Sequence, residues 1–266
     1  MVLGYFLALL IGLSLGLLGG GGSILTVPIL VYVLDMAPKT SIALSLAIVG
    51  TTSFIGAITH FKKGNINLKV AAVFGPVAML GAFLGAKISA HMVGSTQLIA
   101  FAVIMLLASI SMFKSREDTQ AQEKELNYLL ISLQAIVVGI VTGIVGVGGG
   151  FLIVPALVIL TGISMKQAVG TSLLIIALNS ISGFVGYIDQ VVIPWKFLIT
   201  FTTLTSVGII LGGLLISYIP SKLLKKFFAV FLIVMGIFIL YKNKDEITDT
   251  RRSVTPDTFN IIKKYS

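Results

Sequence analysis

The 266-residue sequence has no cysteine, two histidines and few charged residues. The lack of cysteine excludes disulfides, thiolate nucleophiles and thiolate metal ligands. Charged residues make up 11% of the chain, against about 25% in soluble domains, so the composition does not fit a soluble protein. The two histidines, His60 and His91, leave little for a metal site. We therefore expect no metal, no cofactor and no enzymatic activity.

The chain is rich in apolar residues, which make up 56% of it. Eight stretches approach or exceed the roughly 20 apolar residues that span a bilayer. These are 2–18, 41–61, 67–90, 96–113, 127–145, 168–188, 195–219 and 223–241, with shorter segments at 23–34 and 150–160. We predict an all-α integral membrane protein with about eight to ten membrane segments. The first segment is expected to be retained, because no Lys or Arg precedes it as in a signal peptide.

The formal charge of +9 would suggest nucleic acid in a soluble protein. Here the basic residues lie mostly in short loops and in the tail, where they set membrane orientation. We therefore expect the lipid bilayer, and no nucleic acid, as a partner.

An internal repeat divides the chain, because a shift of 127 residues aligns its two halves without a gap. Glycines and prolines dominate the matches: Gly12, Gly16, Gly19, Gly21, Gly22 and Pro28 fall on Gly139, Gly143, Gly146, Gly148, Gly149 and Pro155, and Gly81 and Gly85 fall on Gly208 and Gly212. The predicted organisation is a first transmembrane repeat (1–113), a polar linker (114–126), a second transmembrane repeat (127–241) and a polar tail (242–266).

The relative orientation of the repeats depends on how the glycine runs fold. Four crossings per unit would make the repeats parallel, whereas a hairpin over residues 2–34 would make them inverted. The distribution of Lys and Arg does not choose between the two arrangements. We favour inversion, because it places two helix breaks face to face at mid-membrane.

The two glycine runs are the first candidate site. Consecutive glycines interrupt a helix, and broken backbone survives in a membrane only where protein buries it or it lines a cavity. A half-helix starting after each run would direct unpaired N–H groups at an anion. The alternative is that these glycines only allow close helix packing. The candidate substrate-binding residues are Gly20, Gly21, Gly22 and Ser23 in the first run, and Gly148, Gly149 and Gly150 in the second.

A polar stripe along segment 41–61 and its repeat is the second candidate site. Polar groups at membrane depth are expected to face the bundle or a wet cavity, and hydroxyl and amide donors suit an oxyanion. Ordinary interhelical hydrogen bonding, typically below about 1 kcal/mol per bond, is the alternative. The candidates are Ser45, Thr52 and Ser53 in the first half, and Thr171, Ser172, Asn179 and Ser180 in the second.

All ten acidic residues lie outside the apolar spans or at their edges. Because a carrier coupled to protons or cations usually buries a carboxylate, this favours an anionic substrate. His60 is the one side chain that titrates near neutral pH and is placed to sense a proton, although an interfacial position is the simpler interpretation. Tyr187 and Trp195 are predicted to be interfacial anchors, and Lys87 to extend towards the head groups.

Together these motifs resemble the TauE/SafE sulfite exporter family of membrane permeases. The second half carries the resemblance at 146–155 and 168–173 and at Trp195, Gly208 and Gly212; the first half carries it at 43–46 and 64–66. The resemblance covers about residues 4–241. It implies a multi-pass protein of a prokaryotic cytoplasmic membrane that moves a small inorganic or organic sulfur anion. Leu44 stands where the second half has Thr171, and no glycine precedes Trp195 to match Gly64; both differences bear on the substrate.

The expected function is a secondary transporter, in the direction of export, for a sulfur anion such as sulfite or an organosulfonate. Moving one negative charge outward gains about 2.3 kcal/mol per 100 mV, so export needs no coupling ion; uptake with protons stays open. An anion channel with the same glycine and hydroxyl lining is the alternative. A membrane enzyme is a third interpretation, but the sequence offers it no acid/base pair. A homo-oligomer is compatible with all of these.

Overall fold

The computed structural model describes residues 2–114, 128–215 and 219–244. The predicted polar linker beyond residue 114 and the tail beyond residue 244 lie outside the described residues. Within these ranges the chain is helical and has no β-strand, which confirms the predicted all-α class. The helices are α1 (Val2–Leu18), α2 (Ser23–Pro28), α3 (Pro38–Lys62), α4 (Leu68–Ser89), α5 (Gly94–Lys114), α6 (Tyr128–Val145), α7 (Gly150–Thr161), α8 (Met165–Tyr187), α9 (Trp195–Leu215) and α10 (Ser221–Lys242).

The helices form two series of five with matching spacing. Helices α7, α8, α9 and α10 each begin 127 residues after α2, α3, α4 and α5, respectively. A 3-10 turn at Gly19–Gly22 separates α1 from α2, and a π-helical turn at Ile29–Val33 follows α2. The π turn begins directly after Pro28, whose missing N–H disturbs the regular α-helical ladder.

Local sequence signals set the beginnings of the long helices. Pro38 occupies the first turn of α3, where its missing N–H removes no helical bond. The side chains of Asn67 and Ser164 accept hydrogen bonds from Val70 N and Gln167 N, at 3.2 and 3.3 Å, and so cap α4 and α8.

Helices α3 and α8 lie at the centre of the bundle and run antiparallel. Three neighbouring pairs define their crossing: Leu46 with Gly183, Gly50 with Ser180, and Gly56 with Leu173. The residue number on α8 falls as the number on α3 rises, so the two helices point in opposite directions. In both helices, 67% of the most apolar 18-residue segment is buried inside the bundle.

The first helix of each series packs on the fourth helix of the other. Gly139 and Gly143 of α6 lie against α4, and Gly12 and Gly16 of α1 lie against α9. A Cβ atom at Gly143 would overlap the carbonyl of Ala82. These are the small-residue contacts that let membrane helices approach closely, so the two series are interlocked.

Four helices, α3, α4, α8 and α9, are long and apolar enough to cross a membrane. The described residues contain five shorter apolar helices: Leu3–Leu18, Ser23–Val33, Gly94–Ile110, Leu129–Val145 and Ala229–Lys242. Large apolar side chains such as Leu80, Leu107 and Ile199 are exposed on the outer surface. This composition identifies an integral membrane protein; the larger number of eight to ten segments stays a prediction.

Contacts between helix residues and the connecting loops define the two ends of the bundle. At the Lys63 end, Lys63 Nζ donates to Gly213 O (2.9 Å), and Asn67 N donates to Thr171 Oγ1 (2.9 Å). At the Lys87 end, Lys87 forms an ion pair with Asp189 (3.6 Å). The Lys87 side chain is half exposed there, as expected for a residue that extends out of the hydrocarbon zone.

Candidate functional site

Several buried hydroxyl groups on the central helices have no hydrogen-bond partner. Ser45, Thr52, Ser53 and Ser180 are completely buried, and their hydroxyl oxygens are unpaired. A helical hydroxyl usually bonds a carbonyl three or four residues back. Such bonds occur elsewhere in this bundle: Ser109 donates to Leu106 O (2.6 Å), Thr161 to Leu157 O, Thr203 to Ile199 O, and Ser206 to Thr202 O. These four hydroxyls are therefore donors left available inside the protein.

Four of the predicted residues lie on α3 and α8 within one helical turn of the contact between Gly50 and Ser180. Ser180 lies directly opposite Gly50; a Cβ at this glycine would be 3.1 Å from Ser180 Cβ. Thr52 and Ser53 follow within one helical turn on α3, and Asn179 precedes Ser180 on α8. The Asn179 side chain is buried, and its carbonyl oxygen is unpaired.

Ser45 and Ser172 lie away from this central group. Ser45 is five residues from Gly50, and Ser172 is eight residues from Ser180, or about 8 and 12 Å at the α-helical rise. Because the two helices are antiparallel, these serines lie towards opposite ends of the bundle. Ser172 donates to Val169 O at 2.8 Å. Thr171 accepts the hydrogen bond from Asn67 N, so it holds the loop at the Lys63 end and is separate from the central hydroxyls.

The second glycine run lies against the central hydroxyls. A Cβ built at Gly148 would be 2.5 Å from Ser180 Oγ and 2.9 Å from Val49 of the other half. Asn179 Nδ2 donates to Thr142 Oγ1 at 2.7 Å, and Thr142 in turn contacts Gly149. Helix α7 begins at Gly150 without a side-chain cap. The run thus brings glycine backbone close to the Ser180 hydroxyl.

The first glycine run has a different conformation. Gly20, Gly21 and Gly22 belong to the 3-10 turn that leads into Ser23, which is completely buried. Gly19 contacts α8; a Cβ there would be 3.0 Å from Ser172 Oγ. The run therefore touches the polar stripe of the opposite half.

Two buried threonines beside the glycine runs were not among the residues predicted from the sequence. Thr142 accepts from Asn179, and Thr26 on α2 is completely buried with an unpaired hydroxyl. Both interrupt apolar segments close to a glycine run. A polar residue within an apolar segment, close to a glycine run, was the sequence signal that could have identified both threonines.

The prediction that Tyr187 is an interfacial anchor was wrong, whereas Trp195 is exposed as expected. Tyr187 is completely buried and donates to Ile144 O at 3.0 Å; Gln97 Nε2 donates to both Tyr187 Oη and Ile144 O. Ile144 lies in the last turn of α6, where the glycine break leaves the carbonyl without a helical partner. Tyr187 therefore stabilises the helix end and is held away from lipid.

His60, in the last turn of α3, is also completely buried within the bundle. Neither of its ring nitrogens has a hydrogen-bond partner. No group of three or more His, Asp or Glu side chains that could hold a metal occurs in the described part of the chain. The site as a whole offers neutral hydroxyl and amide groups and glycine backbone at the centre, with lysines at the two ends.

Comparison with known proteins agrees with this architecture. The family described as "Sulfite exporter TauE/SafE" matches residues 5–254. A "Probable membrane transporter protein" of Xylella fastidiosa (strain 9a5c) is 33% identical over 88% of this chain and 92% of its own length. The "Probable membrane transporter protein YdhB" of Bacillus subtilis is 28% identical over 87% of this chain and 97% of its own length. No solved structure is significantly similar to the chain.

The family match spans nearly the whole chain, and the relatives are named as probable membrane transporter proteins. The predicted absence of an enzymatic role follows from this family, whose members are permeases. The chain, a multi-pass protein of the prokaryotic cell membrane, belongs to the TauE/SafE sulfite exporter family of membrane transporters.

Proposed function

We propose that this chain is a secondary transporter that exports a small sulfur-containing anion, such as sulfite or an organosulfonate. The observation that carries the proposal is the group of buried hydroxyls without partners at the crossing of α3 and α8. An unpaired buried donor costs about 1–3 kcal/mol. An oxyanion would accept from several of these hydroxyls at once, and hydrogen bonds to a charged group are stronger than those between neutral groups.

The proposed binding residues are Thr52, Ser53, Asn179 and Ser180, with the backbone at Gly148–Gly150. Helix α7 has 12 residues, and the positive end of its dipole favours an anion next to Ser180. The remaining predicted residues, Gly20–Gly22, Ser23, Ser45 and Ser172, would form the path on either side of this centre. Thr171 would position the loop at the Lys63 end.

We further propose that residues 1–113 and 127–241 are inverted repeats. The antiparallel course of α3 and α8 supports this, because these helices occupy equivalent places in the two series. Inverted repeats allow one half to rock against the other around a central site, so that the anion faces each side in turn.

The test is flux into proteoliposomes under an imposed potential, with sulfite, thiosulfate, ethanesulfonate, sulfate and chloride compared in parallel. Saturable movement of one sulfur anion is the expected result. Single-channel current would identify an anion channel instead. Correctly inserted protein that moves none of the sulfur anions would overturn the proposed substrate class.

The site is tested with the double variant Ser53→Ala and Ser180→Ala. Each lost hydrogen bond to a charged group is worth about 1.5–3 kcal/mol, so flux should fall about tenfold or more for each hydroxyl. Thermal stability in detergent should be unchanged or higher, because both substitutions remove unpaired polar groups.

Ser109→Ala is the matched control, because Ser109 is a buried serine whose hydroxyl is already bonded to Leu106 O. This variant should lose about 1 kcal/mol of stability and keep normal flux. Normal flux in the folded double variant would remove Ser53 and Ser180 from the site.

A further inference from the structure

His60 and Tyr187 occupy equivalent places in the two series, 127 residues apart, but have different surroundings. Tyr187 is held by hydrogen bonds to Gln97 and Ile144 at the Lys87 end. His60 is equally buried near the Lys63 end, and both its ring nitrogens lack partners. One end of the central helix pair therefore has a satisfied neutral hydroxyl, and the other has an unsatisfied titratable ring.

The space around His60 is made by glycines on both neighbouring helices. A Cβ at Gly170 of α8 would be 3.1 Å from His60 Cβ, and a Cβ at Gly213 of α9 would be 4.0 Å from His60 Nε2. Gly170 thus faces the base of the His60 side chain, and Gly213 faces the ring itself. The carbonyl of His60 also accepts from Asn65 N at 3.0 Å, which holds the following loop next to the ring.

The charged groups around His60 are cations. Lys63 is the charged residue that acts on the ring from its own helix end, and its Nζ is bonded to Gly213 O. On α8, Lys166 lies about one turn before Gly170, and α9 contributes Gly213. Lys69 begins α4 beyond the loop. No carboxylate is present among the described residues of these helices and the loop, so nothing there compensates a proton on His60.

His60 continues the polar stripe towards the Lys63 end. It follows Ser53 by seven residues, nearly two full turns, so it lies on the same face of α3 about 10 Å further along. An anion that moves between the central hydroxyls and the Lys63 end would pass this ring.

A neutral imidazole presents one donor and one acceptor nitrogen. An anion alone would satisfy the donor, leave the acceptor unpaired and add an uncompensated buried charge. An anion that arrives with a proton makes both nitrogens donors and forms a neutral pair with the ring. Binding of the anion and protonation of His60 therefore favour each other.

We propose that His60 takes up a proton together with the transported anion, so that each anion crosses accompanied by one proton. The proposal rests on the proposed transport function and changes its driving force. A singly charged anion that crosses with one proton moves no net charge, so its export would follow the anion's own concentration gradient and not the membrane potential. The proton passes from water onto the unprotonated ring nitrogen as the anion enters. After the repeats rock, it returns to water on the opposite side with the anion, leaving the ring neutral.

The test uses the full-length protein in proteoliposomes with the membrane potential clamped to zero. Ethanesulfonate and thiosulfate are the probes, because their conjugate acids are too strong to carry the proton themselves. A pH difference of one unit should drive about tenfold accumulation of a singly charged anion in the wild type. If only sulfite moves, the charge carried per sulfite is measured instead.

His60→Gln should lose accumulation driven by the pH difference while still exchanging labelled for unlabelled anion. His91→Gln is the matched control, because His91 is exposed at the Lys87 end, and it should behave as wild type. His60→Asn is made in parallel in case the glutamine variant does not fold.

Three results would overturn the proposal: wild-type flux that ignores the pH difference, accumulation retained in folded His60→Gln, or loss of exchange in that folded variant. The last would make His60 a general binding group. Absence of any anion flux in the wild type would instead be a failure of the proposed function, so the two failures are distinguishable.

Discussion

The two glycine runs look alike in sequence but meet different physical demands. In the first, Gly19 has a positive φ (61°), whereas Gly22 has an ordinary right-handed conformation (φ −68°, ψ −27°). In the second, Gly146, Gly148 and Gly149 all have φ between 66° and 79°. Gly22 is needed for its small volume, whereas the second run is needed for backbone conformation as well.

The atoms that a side chain would meet also differ between the two runs. A Cβ at Gly22 would overlap the backbone of Leu15, which has no freedom to move aside. A Cβ at Gly149 would overlap the methyl group of the Thr142 side chain. A glycine pattern therefore does not reveal whether volume or conformation is the constraint, and substitutions separate the two.

The largest effect is expected from Gly149→Ala. A positive φ costs a non-glycine residue about 1–2 kcal/mol, and overlap with Thr142 adds about 1–3 kcal/mol of overpacking. Thermal unfolding in detergent measures the loss. Gly64→Ala is the matched control, because Gly64 has a similar φ (69°) with open space around its Cβ position, so it should show only the conformational cost.

Adding Thr142→Ser to Gly149→Ala sharpens this result. The serine lacks the overlapping methyl but keeps the hydroxyl that accepts from Asn179, so about 1 kcal/mol or more of the overpacking cost should return. Equal losses in Gly149→Ala and Gly64→Ala would mean that the neighbour contributes nothing.

An intermediate effect is expected from Gly22→Ala. The backbone conformation suits alanine, so only overlap with Leu15 remains, at about 1–3 kcal/mol. No change of the Leu15 side chain should rescue it fully, because the overlapping atoms include backbone. Unfolding of Gly22→Ala alone and combined with Leu15→Ala tests this; full rescue would contradict the difference between the two runs.

The smallest effect is expected from Gly183→Ala on α8. A Cβ there would be 3.4 Å from the end of the Leu46 side chain, an ordinary contact. Alanine is favoured over glycine in a helix interior by about 1 kcal/mol, so stability should be unchanged or slightly higher. A loss as large as that of Gly22→Ala would show that the α3–α8 crossing is tighter than its contacts indicate.

Much of the site could be read from the sequence because it depends on local pattern. The helical spacing of Ser45, Thr52 and Ser53 placed them on a shared face of α3, and the 127-residue shift located the equivalent residues on α8. The glycine runs predicted helix breaks at mid-membrane; that depth stays a prediction, and in the structure α1 ends at Leu18 and α6 at Val145. These features follow from periodicity and backbone preference alone.

Other features required the packing of distant segments. Tyr187 was assigned to the membrane surface because tyrosines near loops often lie there, but Gln97 and Ile144 reach it from other helices. Thr171 was grouped with the site, yet its partner is Asn67 of the first half. None of these three partners lies close to Tyr187 or Thr171 in the sequence.

The sequence by itself determined that this is a helical membrane protein, because that depends on composition and on the length of the apolar segments. Only the tertiary structure decided that α3 and α8 run antiparallel, which hydroxyls meet at their crossing, and that His60 is buried without a partner. Such properties depend on which helices become neighbours, and contacts between residues more than one hundred positions apart decide that.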